Sequence, residues 1–302
     1  MKIIESTIKK IYEIFNVIRG NKIFRKVIVA FSIIYPFILL YLSWSEIISI
    51  QWSSIGWRIA YVFILYFLSL MFQGVAWTLI INQGLSHYLD DLNVYIKSIL
   101  MRRLPGGFWH WIGRSNLYED LNYKPKTSIA YANIIEWICL ILTGFSWFLL
   151  IENRTFGIIL CLFSFIVIYF LINRLNRVDP TSIILTISFL VLYSLSWIFG
   201  GWILQELVVN VFGTNNFSLT TAISVWALSG TIGMLTFFLP GGLFFREFSL
   251  LMLLSTHLSY SKILLLALVI RIVFVVSDIL FSLVGFLILN NLIRKPKPNQ
   301  SL

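Results

Sequence analysis

Six apolar runs, at roughly 27–44, 57–82, 127–150, 155–172, 181–204 and 261–290, are each long enough to cross a bilayer as helix. A helix rises about 1.5 Å per residue, so about 20 residues cover the ~30 Å of hydrocarbon. Backbone N–H and C=O groups in lipid must be satisfied within the segment, and helix is the form that does so without strand partners. Composition agrees: 59% of the 302 residues are apolar and the mean hydropathy is +0.88, against an apolar share of about 45–50% in soluble domains. The chain reads as an all-α polytopic membrane protein with about six full transmembrane helices.

Only 12% of residues are charged, yet the net charge is +10. The basic residues gather in the N-terminal arm, some loops and the tail, as they do beside anionic lipid. Seven lysines and arginines precede the first run, the loop 45–56 has none, and region 83–126 has six. Loop 151–154 holds only Arg154, Arg174 and Arg177 follow, 205–218 has none, and Arg294, Lys295 and Lys297 close the chain. This alternation places both termini in the cytoplasm and the protein in the cell membrane. A nucleic-acid partner is set aside, because no soluble segment is long enough to present a basic groove.

Residues 1–26 lack the short apolar core and cleavage site of a secretory signal. Ile3 to Ile18 read as an amphipathic helix in the interface, with Lys9 and Lys10 toward headgroups. Residues 27–293 form one transmembrane domain, followed by a basic tail at 294–302. Cys139 and Cys161 lie inside apolar runs, so neither a disulfide framework nor a metal site is indicated, and no cofactor is implied.

Two regions, 94–123 and 219–257, are apolar but interrupted by the same four letters, in LPGGFWHWIGR from Leu104 and LPGGLFFRE from Leu239. Pro105, Gly106 and Gly107 in the first, and Pro240, Gly241 and Gly242 in the second, break the helical ladder and permit positive φ. The loop charges require the first region to enter and leave from the cytoplasmic side, and the second from the other side. Both are expected to be re-entrant helical hairpins of opposite orientation. Their surroundings match: Glu136 lies 31 residues after Pro105, and Arg271 lies 31 after Pro240. Repeat 1 spans about 57–150 and repeat 2 about 181–290, an inverted repeat of the kind that builds midplane sites in transporters.

An arginine in mid-membrane costs roughly 2.5–3.5 kcal/mol on insertion scales, so Arg271 needs a partner. Glu136, its equivalent by repeat position, is the expected one, with Asp278 two turns along the same helix as a second. Such a pair is either purely structural or part of a substrate pathway. Arg102, Arg103, His110 and Arg114 stand beside the first break, and Arg246 and Glu247 beside the second. Guanidinium forks beside freed helix ends converge on phosphate or carboxylate. Arg103, His110, Arg114, Arg246 and Glu247 are therefore the candidate headgroup-binding residues. Arg102 and Arg103 serve equally well as cytoplasmic anchors, His110 as a turn residue, and Trp109 and Trp111 as interfacial belt residues.

RLPGGFWHWIGR with Glu136, and FLPGGLFFREFSLLML with Arg271, resemble the two signature regions of the lysylphosphatidylglycerol synthase transmembrane-region family, the flippase-like domain proteins. The resemblance covers about 55–290. It implies a lipid flippase moving an anionic, aminoacylated or polyprenyl-phosphate-linked lipid, working alone or beside glycan- or lipid-modifying enzymes. In the best-known members an aminoacyl-transferase domain follows; this chain stops at Leu302, so a stand-alone member without lysyl transfer is expected. The family's second motif usually carries a later glycine, where this chain has Phe244, and Arg246 precedes the acid Glu247.

Other function classes find less in the residues. A serine protease would draw on Ala227-Leu228-Ser229-Gly230 with His257, a partial motif, and a glycosyltransferase on Glu46 or Glu206 alone. No catalytic residue is assigned. The other standing reading is a non-transporting accessory subunit of a cell-envelope glycan or lipid-modifying system.

Overall fold

The structure is a computed structural model that describes residues 30, 34–49, 52–81, 87–103, 109–121, 125–175, 183–214, 216–236, 242 and 244–293. The expected N-terminal amphipathic helix, most of the first break with Pro105, Gly106 and Gly107, then Pro240 and Gly241, and the tail lie outside the described residues. So does the side chain of Arg103.

The protein is an all-α polytopic membrane protein. Among the described residues, helical stretches α1 (residues 34–42) and α2 (Trp44–Ser49) come first, followed by α3 (Trp52–Ile81). Next come α4 (Tyr88–Ile99), continued by a 3-10 turn at Leu100–Arg103, and α5 (Trp109–Leu121). Three long helices follow, α6 (Lys126–Glu152), α7 (Arg154–Leu175) and α8 (Ile183–Glu206), the last running on into a π turn at Leu207–Val211. The chain closes with α9 (Leu219–Leu235), α10 (Phe245–Leu254) and α11 (Tyr260–Ile293). Among the described residues, five helices are long and apolar enough to cross a membrane: the bulk of α3, α6, α7, α8 and α11. These match five of the six expected spans; the sixth, 27–44, is only partly described.

Helix boundaries follow local chemistry. α6 starts right after Pro125, whose φ of −67° leads into a helix and whose missing N–H has no helical partner to lose. It ends at the extended Asn153, whose side chain accepts from the Phe156 N–H at 3.3 Å and so opens α7. One residue thus turns the chain back, and Gly157 makes room: a Cβ there would lie 2.4 Å from the Leu150 backbone. Ser218 caps α9 by accepting from Thr221 N–H at 3.1 Å.

The two regions interrupted by Pro-Gly-Gly are helical hairpins: α4 packs on α5, and α9 on α10. With 12 and 10 residues, α4 and α10 reach only about 18 and 15 Å, short of a crossing. Three helices long and apolar enough to cross a membrane separate the hairpins; crossing by all three would put the hairpin entrances on opposite faces.

Two halves of the same pattern, long-short-short-long, pack as an inverted repeat, with α7 linking them and packing on α6 and α8. The first helices, α3 and α8, pack on each other. Each hairpin then leans on the last helix of the other half: α4 packs on α11, and α9 on α6. Small residues carry these crossings, as expected where lipid removes the hydrophobic drive between helices. A Cβ at Gly144 of α6 would sit 2.1 Å from Thr231 Oγ1 of α9, and one at Gly285 of α11 would sit 2.7 Å from Ile96 of α4. Polar side chains stitch α3 to α8: Ser69 and Ser196 hydroxyls lie 2.7 Å apart, and Gln73 Nε2 donates to Ser196 Oγ at 2.6 Å.

Candidate functional site

Arg114, on α5, is fully buried. Its guanidinium lies between the rings of Trp77 (4.0 Å) and Tyr95 (4.7 Å). Nε donates to Ser98 Oγ at 3.0 Å and Nη1 to Asn133 Oδ1 at 3.1 Å, while both terminal nitrogens reach the Glu136 carboxylate. Arg271, on α11, donates twice to Glu247 Oε1 on α10, at 2.8 and 2.5 Å. Glu247 Oε2 is buried with no hydrogen-bond partner among the described residues.

These contacts correct the expected pairing of Glu136 with Arg271. The repeat positions are equivalent, but equivalent positions in an inverted repeat sit on opposite sides of the pseudo-axis and need not meet. Each pair instead forms within its own half, 22 residues apart in the first and 24 in the second, and ties the returning hairpin helix to the long helix after it. Polarity is reversed: the hairpin carries the cation in the first half and the acid in the second. Asp278 does not serve Arg271 either. Seven residues on, it is about 10 Å further along the axis, and there it accepts from Tyr66 OH at 3.0 Å.

A cavity of about 210 Å³ lies at the centre, between the two hairpins. One side is built by Tyr66, Ser69 and Gln73 of α3 with Ser196 and Trp197 of α8; Glu136 and Trp137 of α6 and Phe274 of α11 close it. The first hairpin contributes Arg102, His110 and Trp111, and the second Trp226, Gly233, Gly242 and Arg246. α7 contributes nothing to the wall, in keeping with its place outside the repeat.

Of the expected headgroup residues, His110 and Arg246 line this cavity. Arg114 and Glu247 are not lining residues: each is held in an ion pair, Arg114 with the wall residue Glu136 and Glu247 with Arg271. The first hairpin's guanidinium at the wall is Arg102, which the sequence left as either an anchor or an anion contact. Both its terminal nitrogens donate to Gln73 Oε1 at 3.3 Å, and Nη2 also to Tyr95 OH at 3.3 Å. These acceptors are neutral, so the hydrogen bonds hold the fork without cancelling its charge. Arg246 stacks on Trp226 (4.2 Å) and Phe274 (5.2 Å).

Gln73, Tyr66 and the tryptophans of α6, α8 and α9 escaped the sequence reading. Gln73 carried a signal, an amide inside an otherwise apolar span, which in a membrane points to a partner or a pathway. The tryptophans carried none, since an indole in an apolar run is as well placed facing lipid. Trp111, expected in the interfacial belt, is on the cavity wall. Ser229 is fully buried and donates to the Trp226 carbonyl at 3.2 Å, while His257 stands edge-on to Phe217 beyond the end of α10.

The structure thus joins two guanidiniums, one from each hairpin, to one indole-walled cavity. No family model matches the chain, and no curated protein sequence matches it.

Proposed function

We propose that the protein is a lipid transporter of the cytoplasmic membrane, a flippase that holds an anionic lipid headgroup in the central cavity while the chains stay in the bilayer. The observation that carries this reading is the placement of Arg102 and Arg246 on opposite hairpins around one cavity. A buried guanidinium is expensive in a membrane and is tolerated where it faces protein or a wet path. A headgroup phosphate offers both forks an acceptor. Hairpins inserted from opposite faces would give such a site access to each side in turn, the logic of alternating access in inverted repeats. The resemblance to the lysylphosphatidylglycerol synthase transmembrane region supports the same reading, and the alternation of loop charges supports cytoplasmic termini. The Arg114–Glu136 and Glu247–Arg271 pairs then act as latches that fix the hairpins to α6 and α11.

The test is reconstitution into liposomes with fluorescent anionic phospholipid or polyprenyl phosphate, followed by reduction of the label from outside. Faster loss of inner-leaflet label than in empty vesicles is expected, and slowing on Arg246→Gln. Vesicles indistinguishable from empty ones for every lipid, with a partner enzyme co-purifying, would favour an accessory subunit instead.

A further inference from the structure

The charges around the cavity narrow what it takes. Arg102 and Arg246 bring two cations to the wall, and the wall's carboxylate, Glu136, is already bonded by Arg114. Asp278, not a lining residue, accepts from the neutral Tyr66 hydroxyl at 3.0 Å, which leaves its charge in place. A headgroup bearing an ammonium would enter beside those two cations, where the wall's carboxylate is already paired with Arg114. Like charges at short range in a low-dielectric site repel strongly.

The remaining wall is aromatic and rigidly seated. A Cβ at Gly230 would lie 2.6 Å from the Trp197 ring, and one at Gly200 only 1.8 Å from Trp226 Nε1, so both indoles rest directly on helix backbone. Trp197 gives its N–H to Thr143 Oγ1 (3.1 Å) and Trp137 to the Met234 carbonyl (3.2 Å), leaving the rings as what they offer. A sugar ring has a face of C–H bonds, weakly positive, which suits the negative face of an indole. Its hydroxyls would find Ser69, Gln73 and His110 on the same wall. At about 210 Å³ the cavity is below the roughly 300–1,000 Å³ of drug-sized sites, which fits a headgroup without its chains.

We infer that the cavity selects a glycosyl phosphate headgroup, with Arg102 and Arg246 on the phosphate and the indoles on the sugar, and rejects an aminoacylated one. This rests on the lipid-transport reading above. An isoprenoid-linked and a diacylglycerol-linked sugar phosphate share the chemistry.

The full chain in detergent is titrated with farnesyl-phosphoryl-glucose, phosphatidylglucoside, farnesyl phosphate and lysylphosphatidylglycerol, with phosphatidylcholine as blank, by native mass spectrometry. At least one glucosylated lipid should bind about tenfold more tightly than farnesyl phosphate and the lysylated lipid, and the two glucosylated arms tell which anchor is preferred. Arg102→Gln and Arg246→Gln should each weaken it about tenfold, Arg102→Lys less, and Trp137→Leu, which removes a cavity-lining indole other than the Trp226 that seats Arg246, should abolish the preference for glucose over bare phosphate. Unchanged elution and unfolding midpoint identify the variants that remain folded. Equal binding of bare and glucosylated phosphate, or tightest binding of the lysylated lipid, overturns the inference while leaving lipid transport standing. If no lipid exceeds phosphatidylcholine, both readings fall.

Discussion

At the scale of single residues, the two ion pairs differ in what surrounds them. Arg114 is fully buried, stacked on two rings and bonded to two neutral groups besides its acid, whereas the Arg271 side chain is 24% exposed and its acid keeps one buried oxygen without a partner among the described residues. Removing one member of a buried pair strands the other charge, at about 3–5 kcal/mol. Arg114→Ala should therefore lower stability by about that much, and Arg271→Ala by less, because the Arg271 side chain is already partly exposed. Thermal unfolding of the two variants in the same detergent compares them directly. Equal losses would mean that exposure does not set the difference. The sequence singled out all four residues, Arg271 as needing a partner with Glu136 expected, and Arg114 and Glu247 as headgroup contacts. It mispaired them because partner choice depends on which helix faces meet, and repeat equivalence carries no information on that.

At the scale of elements, the second hairpin is held by a close crossing at its turn. Gly242 has φ +68°, and a Cβ there would lie 2.5 Å from the Gly233 Cα of α9. Gly213, after the π turn, has φ +71° with nothing within 4 Å. The two positions share backbone strain and differ in space. Alanine at Gly213 should cost about 1–2 kcal/mol for the left-handed conformation, and alanine at Gly242 a further 1–3 kcal/mol or so for overpacking. Unfolding midpoints measure the gap, and closely similar values would remove the crossing as a constraint. Gly242, the second glycine after Pro240, was legible as a turn residue from its motif. Its contact with Gly233, nine residues back, was not, because the motif does not say how closely the hairpin legs approach.

At the scale of the molecule, the fold is two interlocked halves, each hairpin braced by the last helix of the other half. The loop charges add an orientation to this. In a background with Cys139 and Cys161 replaced by alanine, a single cysteine at Asn153 should react with a membrane-impermeant maleimide in intact cells, and one at Lys297 only after permeabilisation. The reverse labelling would invert the proposed topology. Transport itself is tested by the liposome assay, and the headgroup by the lipid titration.

The sequence by itself determined the class of protein, five of its long helices, the places where two further segments break, and the matched spacing of the halves. These are properties of one chain in a bilayer: hydrocarbon thickness sets run length, and proline with glycine sets the break. Tertiary structure alone decided that Arg114 is a buried strut, that Arg102 and not Arg114 faces the cavity, and that four tryptophans wall it. The physical reason is that an apolar helix in lipid can bury any face. Which face it buries is settled by the small residues, interhelical hydrogen bonds and ion pairs of helices distant in sequence.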